Sequence, residues 1–180
     1  MSTQTSGQPR DLLLTSARLL VTIILVLICL IALGLVSAAI ALPLFPDRIL
    51  AEIAPQIGKE PGSDLITSIE LIFALFLTMI ALAFFWLRQL RRIIDSVRQG
   101  NAFAPENAGR LSNMGWLTVG IEVFSIKAGA VAAYIAKHVE NMHLDVGLSL
   151  GGILMALVLF ILARVFREGA RMREELEGTV

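Results

Sequence analysis

The stretch RQLRRIIDSVRQGNAFAPENAGRLSNMG, Arg88 to Gly115, separates two long apolar runs and decides how the chain is read. Leu87, Leu90, Ile94 and Val97 carry the apolar spacing of the preceding run forward at three- and four-residue intervals. Arg88, Arg92 and Arg98 fall beside them. That pattern predicts one unbroken helix from about 64 to 99, protruding some three turns past the membrane. Gly100 is the expected stop, because glycine takes the left-handed C-terminal conformation without a Cβ clash. Pro105 is the expected restart: proline at the first helical position loses no hydrogen bond, and Glu106 suits the positive end of the helix dipole. Ala104, just before it, has no side-chain oxygen to cap the new helix. The stretch therefore reads as the tip of a helical hairpin.

Working outward, the 180 residues are 56% apolar with a mean hydropathy of +0.77, too apolar for a soluble domain. Four runs are long enough to span a bilayer, at about 19–42, 65–87, 115–136 and 146–165. Once they are removed, no remaining piece reaches the roughly 50 residues that a separate core requires. The expected organisation is a polar, disordered tail at 1–11 and a single membrane domain at 12–180, with a polar loop at 88–114 and a helical tail at 166–180. Ala39-Ile40-Ala41 resembles a small-residue cleavage site, but the apolar run before it exceeds a signal-peptide core, so an uncleaved helix ending at Pro43 and Pro46 is expected. Residues 47–58 read equally as a short surface helix or as an irregular loop. Ser63 or Asp64 is suited to cap the second run, and Trp116 to anchor the third at the membrane interface.

The distribution of basic residues orients the spans. Arg10, Arg18, Arg88, Arg91, Arg92, Arg98, Arg110, Arg164, Arg167, Arg171 and Arg173, eleven in all, fall on one side. Arg48, Lys59 and Lys137, three in all, fall on the other. The positive-inside rule then puts both termini and the central loop in the cytoplasm. The expected fold is all-α: a four-helix transmembrane bundle, N-in and C-in, with helices 2, 3 and 4 extended into the cytoplasm.

The third run carries Glu122 and Lys127. A charge near mid-span costs roughly 2.5–3.5 kcal/mol on insertion scales, so such groups face the bundle interior, find partners or neutralise. Matching depths in antiparallel helices suggests Arg18 as partner for Glu122, and Glu70 as partner for Lys127. The alternatives are a ligand site or proton path, and lipid-facing side chains that snorkel. Gly129-xxx-Ala133, Ala132-xxx-Ala136 and Gly147-xxx-Gly151 have the small-residue spacing that lets helices, or two copies of the chain, approach closely.

Motifs for catalysis and metal binding were sought and are missing from the sequence. His138 and His143 are five apart and share no helical face. Cys29 is the single cysteine, so neither an internal disulfide nor a dithiol mechanism is available. There is no phosphate-binding glycine loop, HExxH or nucleophile elbow. Ser37, Ser68 and Ser125 lack a suitable base. No enzymatic activity, cofactor or metal is expected. Net charge is zero, so the global balance points to no direct nucleic-acid partner, and the arginines at 88–98 suit anionic lipid headgroups.

Gly100-Asn101-Ala102-Phe103-Ala104-Pro105-Glu106-Asn107, with Arg110-Leu111 and Gly115-Trp116, resembles the loop of the YoaS-like bacterial membrane proteins, a domain of unknown function numbered 2975. Gly151-Gly152-Ile153-Leu154, the run Leu162 to Gly169 and the ending Glu174 to Val180 are similar too. Ala102 and Ala104 depart from the pattern, where proline and a capping threonine are common. The resemblance implies a four-helix membrane protein of unassigned activity, with no catalytic residues to carry over. It also implies a partner, since genes of the family often neighbour one for a Cro/C1-type helix-turn-helix regulator.

The functional expectation is a non-enzymatic protein of the bacterial inner membrane that senses a signal or sequesters such a DNA-binding regulator. The expected docking surface is Arg91, Arg92, Asp95, Phe103, Glu106, Asn107 and Arg110, with Arg167, Arg171 and Glu174 from the tail. The bilayer and a second copy of the chain are the other expected partners. The alternative is a small transporter or channel subunit working through Glu122 and Lys127.

Overall fold

A computed structural model describes residues 8–45, 63–136 and 149–177. It contains four α-helices: α1 (Gln8–Leu44), α2 (Ser63–Arg98), α3 (Pro105–Ala136) and α4 (Leu150–Glu177). Each is long and apolar enough to cross a membrane. The 36 residues of α2 measure about 54 Å at 1.5 Å per residue, against roughly 30 Å for a hydrocarbon core. The helix continues past the apolar run to Arg98, as the unbroken spacing through Val97 predicts.

The element bounds follow local chemistry. Gly100 has φ +77°, and the amides of Gly100 and Asn101 donate to the carbonyls of Val97 and Ser96 at 3.0 and 3.1 Å. This is the Schellman arrangement that closes a helix on a left-handed residue. A turn follows, with the Ala104 amide donating to the Asn101 carbonyl at 3.2 Å, and α3 starts at Pro105. Ser149 caps α4: its hydroxyl accepts from the Gly152 amide at 3.2 Å. Two expectations shift. The helix at the N-terminus already begins at Gln8, inside the tail expected to be disordered, and α1 runs through Pro43 to Leu44. The expected surface helix at 47–58, the loop with His138 and His143, and Gly147 lie outside the described residues.

The helices pack in chain order as antiparallel neighbours: α1 on α2, α2 on α3, α3 on α4. Among the described residues α1 makes no backbone approach to α3 or α4, so the four-helix bundle takes the form of an open row. Composition agrees with this order at its two extremes, though not for α2 and α4, at mean hydropathies of 2.3 and 2.1. The most apolar window, mean hydropathy 3.4, belongs to α1 at the edge, and the least apolar, 1.5, to α3 between two neighbours. A helix clothed by lipid on most sides must be apolar all round, whereas one covered by protein tolerates polar groups.

The main core is at the loop end. Leu111 and Met114 of α3 meet Leu159 and Ala163 of α4, with Trp86, Leu90 and Ile93 of α2 and Phe166 of α4 packed around them. Leu90, Ile93, Leu111 and Phe166 lie past the apolar spans, in the part of the chain where the arginines begin. Where water is the competing solvent, burial is driven by the hydrophobic effect, about 25 cal/mol per Å². Inside a bilayer lipid tails compete equally well, and shape must do the work. The α3–α4 contact shows that shape-fitting. A Cβ on Gly115 would sit 2.8 Å from the Phe160 ring, one on Gly169 would sit 2.9 Å from Phe103, and Gly152 lies against the carboxylate of Glu122. Gly151, from the anticipated small-residue pair, is exposed, and a Cβ there would meet only the Ser149 hydroxyl at 3.6 Å, not a neighbouring helix.

Candidate functional site

The GNAFAPEN turn, Gly100 to Asn107, is built around one side chain. Asn107, in the first turn of α3, is wholly buried (0% exposed). Its Nδ2 donates to the Ser96 hydroxyl at 2.8 Å and to the Ala102 carbonyl at 2.9 Å. Its Oδ1 accepts from Arg110 Nη1 at 2.8 Å. Both amide protons and the carbonyl are thus used, which is what a buried amide requires. Ser96 near the end of α2 passes the chain on, donating to the Asn101 carbonyl at 2.6 Å. Arg110 also reaches the Arg92 carbonyl on α2 at 3.3 Å. From α4, Arg173 Nη1 donates to Asn101 Oδ1 at 3.0 Å. One polar network therefore ties α2, the turn, α3 and α4.

Apolar contacts lock the same turn from the other side. Phe103 packs on Phe166 with ring centroids 5.3 Å apart and rests against Gly169, while still 46% exposed. Ala104 is buried at 5%. Deeper in, Trp86 Nε1 donates to the Thr118 hydroxyl at 3.1 Å, and Thr118 donates to the Met114 carbonyl at 2.9 Å, which satisfies both buried polar groups between α2 and α3. Trp116, 66% exposed, stands edge-on to Phe160 at 5.4 Å.

The residues expected at a docking surface divide into two groups. Arg92, Phe103, Glu106, Arg167, Arg171 and Glu174 are exposed at the loop end, and Arg91 is half-buried beside them. Asn107 is not on the surface at all: its hydrogen-bonding capacity is spent holding the turn. Arg110 is engaged in the same network, and Asp95 pairs with Arg18 at 3.2 Å. Arg171 is bracketed by Glu168 at 2.8 Å and Glu175 at 3.4 Å on its own helix. The sequence reading missed Ser96, Asn101 and Arg173 as partners. The turn residues at 100–101 were a signal for Asn101, but nothing local links Arg173 to a residue 72 positions away.

The expected charge pairs within the spans are rearranged. Arg18 belongs to α1, which touches only α2, so it meets Asp95 near the end of α2 and never Glu122. Glu122 sits half-buried between α3 and α4, against Gly152. Lys127 is exposed with its ammonium 5.6 Å from the Phe124 ring centroid, and Glu70 is exposed on α2 without reaching it. For Arg18 and Glu122 the reason is topological, since depth matching ignores which helices are neighbours; Glu70 and Lys127 are on helices that do pack together, and both side chains are exposed. Among the described residues no group of three or more His, Cys, Asp or Glu side chains is placed to hold a metal ion.

Comparison with known proteins adds one match. The model of a family described as a protein of unknown function, DUF2975, matches residues 12–180. No curated protein and no solved structure matches. Because the match runs from the start of the first apolar span to the last residue, through the turn and all four helices, the chain belongs to the DUF2975 family.

Proposed function

We propose that this chain is a multi-pass protein of the bacterial inner membrane, with both termini and the α2–α3 turn in the cytoplasm, that docks and thereby restrains a cytoplasmic helix-turn-helix DNA-binding regulator without catalysing a reaction. The observation that carries this reading is the construction of the loop end. A buried polar network and an aromatic contact hold the turn rigidly against α4, and Arg92, Phe103, Glu106, Arg167, Arg171 and Glu174 remain exposed around it. An exposed aromatic ring on a preordered base, rimmed by charges of both signs, suits a protein partner: the anchor loses little entropy on binding, and the rim sets orientation. Eleven basic residues against three support the cytoplasmic placement of that end. The nature of the partner comes from the family resemblance. Co-purification of the full chain with the helix-turn-helix protein encoded beside it tests the reading. The unmodified chain is expected to retain that protein, and Arg92→Glu with Arg171→Glu to lose at least tenfold. Absence of retention by the unmodified chain ends the proposal.

A transport role for Glu122 and Lys127 has one supporting observation, a half-buried carboxylate at the α3–α4 contact with no ion pair. An open row encloses no pore, so this reading requires a second copy to complete a path. Ion flux into proteoliposomes that disappears with Glu122→Gln, while the helical content is retained, is its expected result.

A further inference from the structure

We propose that the groove between α3 and α4 beside Trp116 is a binding site for the phosphate of an anionic glycerophospholipid. The groove encloses about 410 Å³ and is lined by Ser112 of α3 and by Phe160, Ala163, Arg164, Arg167 and Glu168 of α4. Its floor is apolar and its rim is cationic. Arg164 and Arg167 are exposed, one turn apart on the same helix, and among the described residues neither makes an ion pair or hydrogen bond. The Ser112 hydroxyl is equally unengaged. Glu168, the one acidic group in the lining, is paired with Arg171 at 2.8 Å, which offsets part of the charge it would oppose to an anion, Arg171 being shared with Glu175 at 3.4 Å. Two guanidinium groups and a hydroxyl therefore converge on one opening with donors to spare, the set that phosphate oxygens take up.

Depth selects a lipid as the source of that phosphate. Leu157, Ile161 and Val165 on α4 are each more than half exposed and lead directly to the groove, a strip that acyl chains would cover. Arg164 and Arg167 stand where that strip ends and the charged tail begins. Trp116, two-thirds exposed and edge-on to Phe160 of the floor, has the amphipathic ring that settles at headgroup level. A headgroup bound here has its phosphate at the arginines and its chains along α4. A free anion would leave Phe160 and the strip below it unused. The inference rests on the membrane placement of the chain and shares only Arg167 with the proposed docking surface.

The full chain in vesicles carrying bromine on the acyl chains tests this, with Trp86→Phe as background so that Trp116 is the remaining indole. Quenching of Trp116 is read in brominated phosphatidylglycerol and in brominated phosphatidylcholine. The expected result is a preference of roughly fivefold or more for the anionic lipid, since each basic side chain near such a surface contributes about that factor. The preference is expected to vanish in Arg164→Gln/Arg167→Gln and to persist in Arg98→Gln, which removes a basic group at the same end but outside the groove. Helical content is checked in parallel; both groove arginines are exposed, so it is expected to hold. Equal quenching by the two lipids overturns the site while leaving the membrane placement standing, and quenching by neither overturns both. Equal losses in the groove and Arg98 variants, or displacement of the lipid by inorganic phosphate at matching concentration, also overturn it.

Discussion

Asn107 is the residue on which the loop end depends. Its amide is fully buried and joins the end of α2, the turn and α3, so its replacement takes hydrogen bonds from three half-buried partners at once. Asn107→Leu is expected to destabilise the chain by about 2–4 kcal/mol, the cost of several lost hydrogen bonds and newly unpaired groups. Reversible unfolding in mixed micelles measures it, and a loss below about 0.5 kcal/mol would refute the role. Gly100 is sensitive for a different reason. At φ +77° with nothing within 4 Å of a built Cβ, the space is open and only the backbone objects. Gly100→Ala is accordingly expected to cost about 1–2 kcal/mol through left-handed strain alone, and Gly100→Asn clearly less, because asparagine tolerates that region. Gly100 and Pro105 were legible in the sequence because their effects are local. Asn107 was visible only as a member of the motif; its burial depends on Ser96, eleven residues back in another helix.

At the scale of elements, α3 and α4 are held by aromatic rings and a carboxylate set against glycines. Gly115→Ala is expected to force Phe160 aside and to cost about 1–3 kcal/mol. Combining it with Phe160→Leu is expected to recover part of that loss, because the smaller side chain vacates the contested space. A double-mutant cycle with a coupling energy near zero would show that the two sites do not meet. The α1–α2 pair is tied more loosely. Arg18 and Asp95 form an ion pair at 3.2 Å, but their side chains are 42% and 34% exposed. Arg18→Gln is therefore expected to change stability by less than about 1 kcal/mol, with the effect shrinking as salt is raised. Helix bounds at this scale were largely readable: Arg98 ends a helix and Pro105 begins one where local signals put them. Contacts were not, since Glu122 and Arg18 match in depth yet sit on helices that do not touch.

At the scale of the whole molecule, the four spans and the basic asymmetry make a topological prediction. Cys29 is the only cysteine and is exposed in the middle of α1. After Cys29→Ser, a single cysteine introduced at Arg98 or at Glu174 is expected to react with a membrane-impermeant maleimide only when the cytoplasmic face is opened. Labelling of both from the outer face of intact cells would reverse the orientation. The open row carries a second consequence: α1 and α4 each keep a face that no other helix covers, and the exposed apolar side chains along both are suited to lipid.

Sequence alone determined four helices long and apolar enough to span a membrane, the stop at Gly100 and the restart at Pro105, and it sets the side on which the basic residues are expected. These properties follow from hydropathy, backbone conformation and charge, which act over a few neighbouring residues. Tertiary structure alone decided that the helices form an open row, that Arg18 pairs with Asp95, that Asn107 lies inside the turn, and that Arg173 reaches back to Asn101. Such contacts depend on which helix faces meet. In helices apolar on nearly every side, hydropathy does not choose the face, so the choice falls to a few glycines, aromatic rings and buried amides whose partners are far away in the chain.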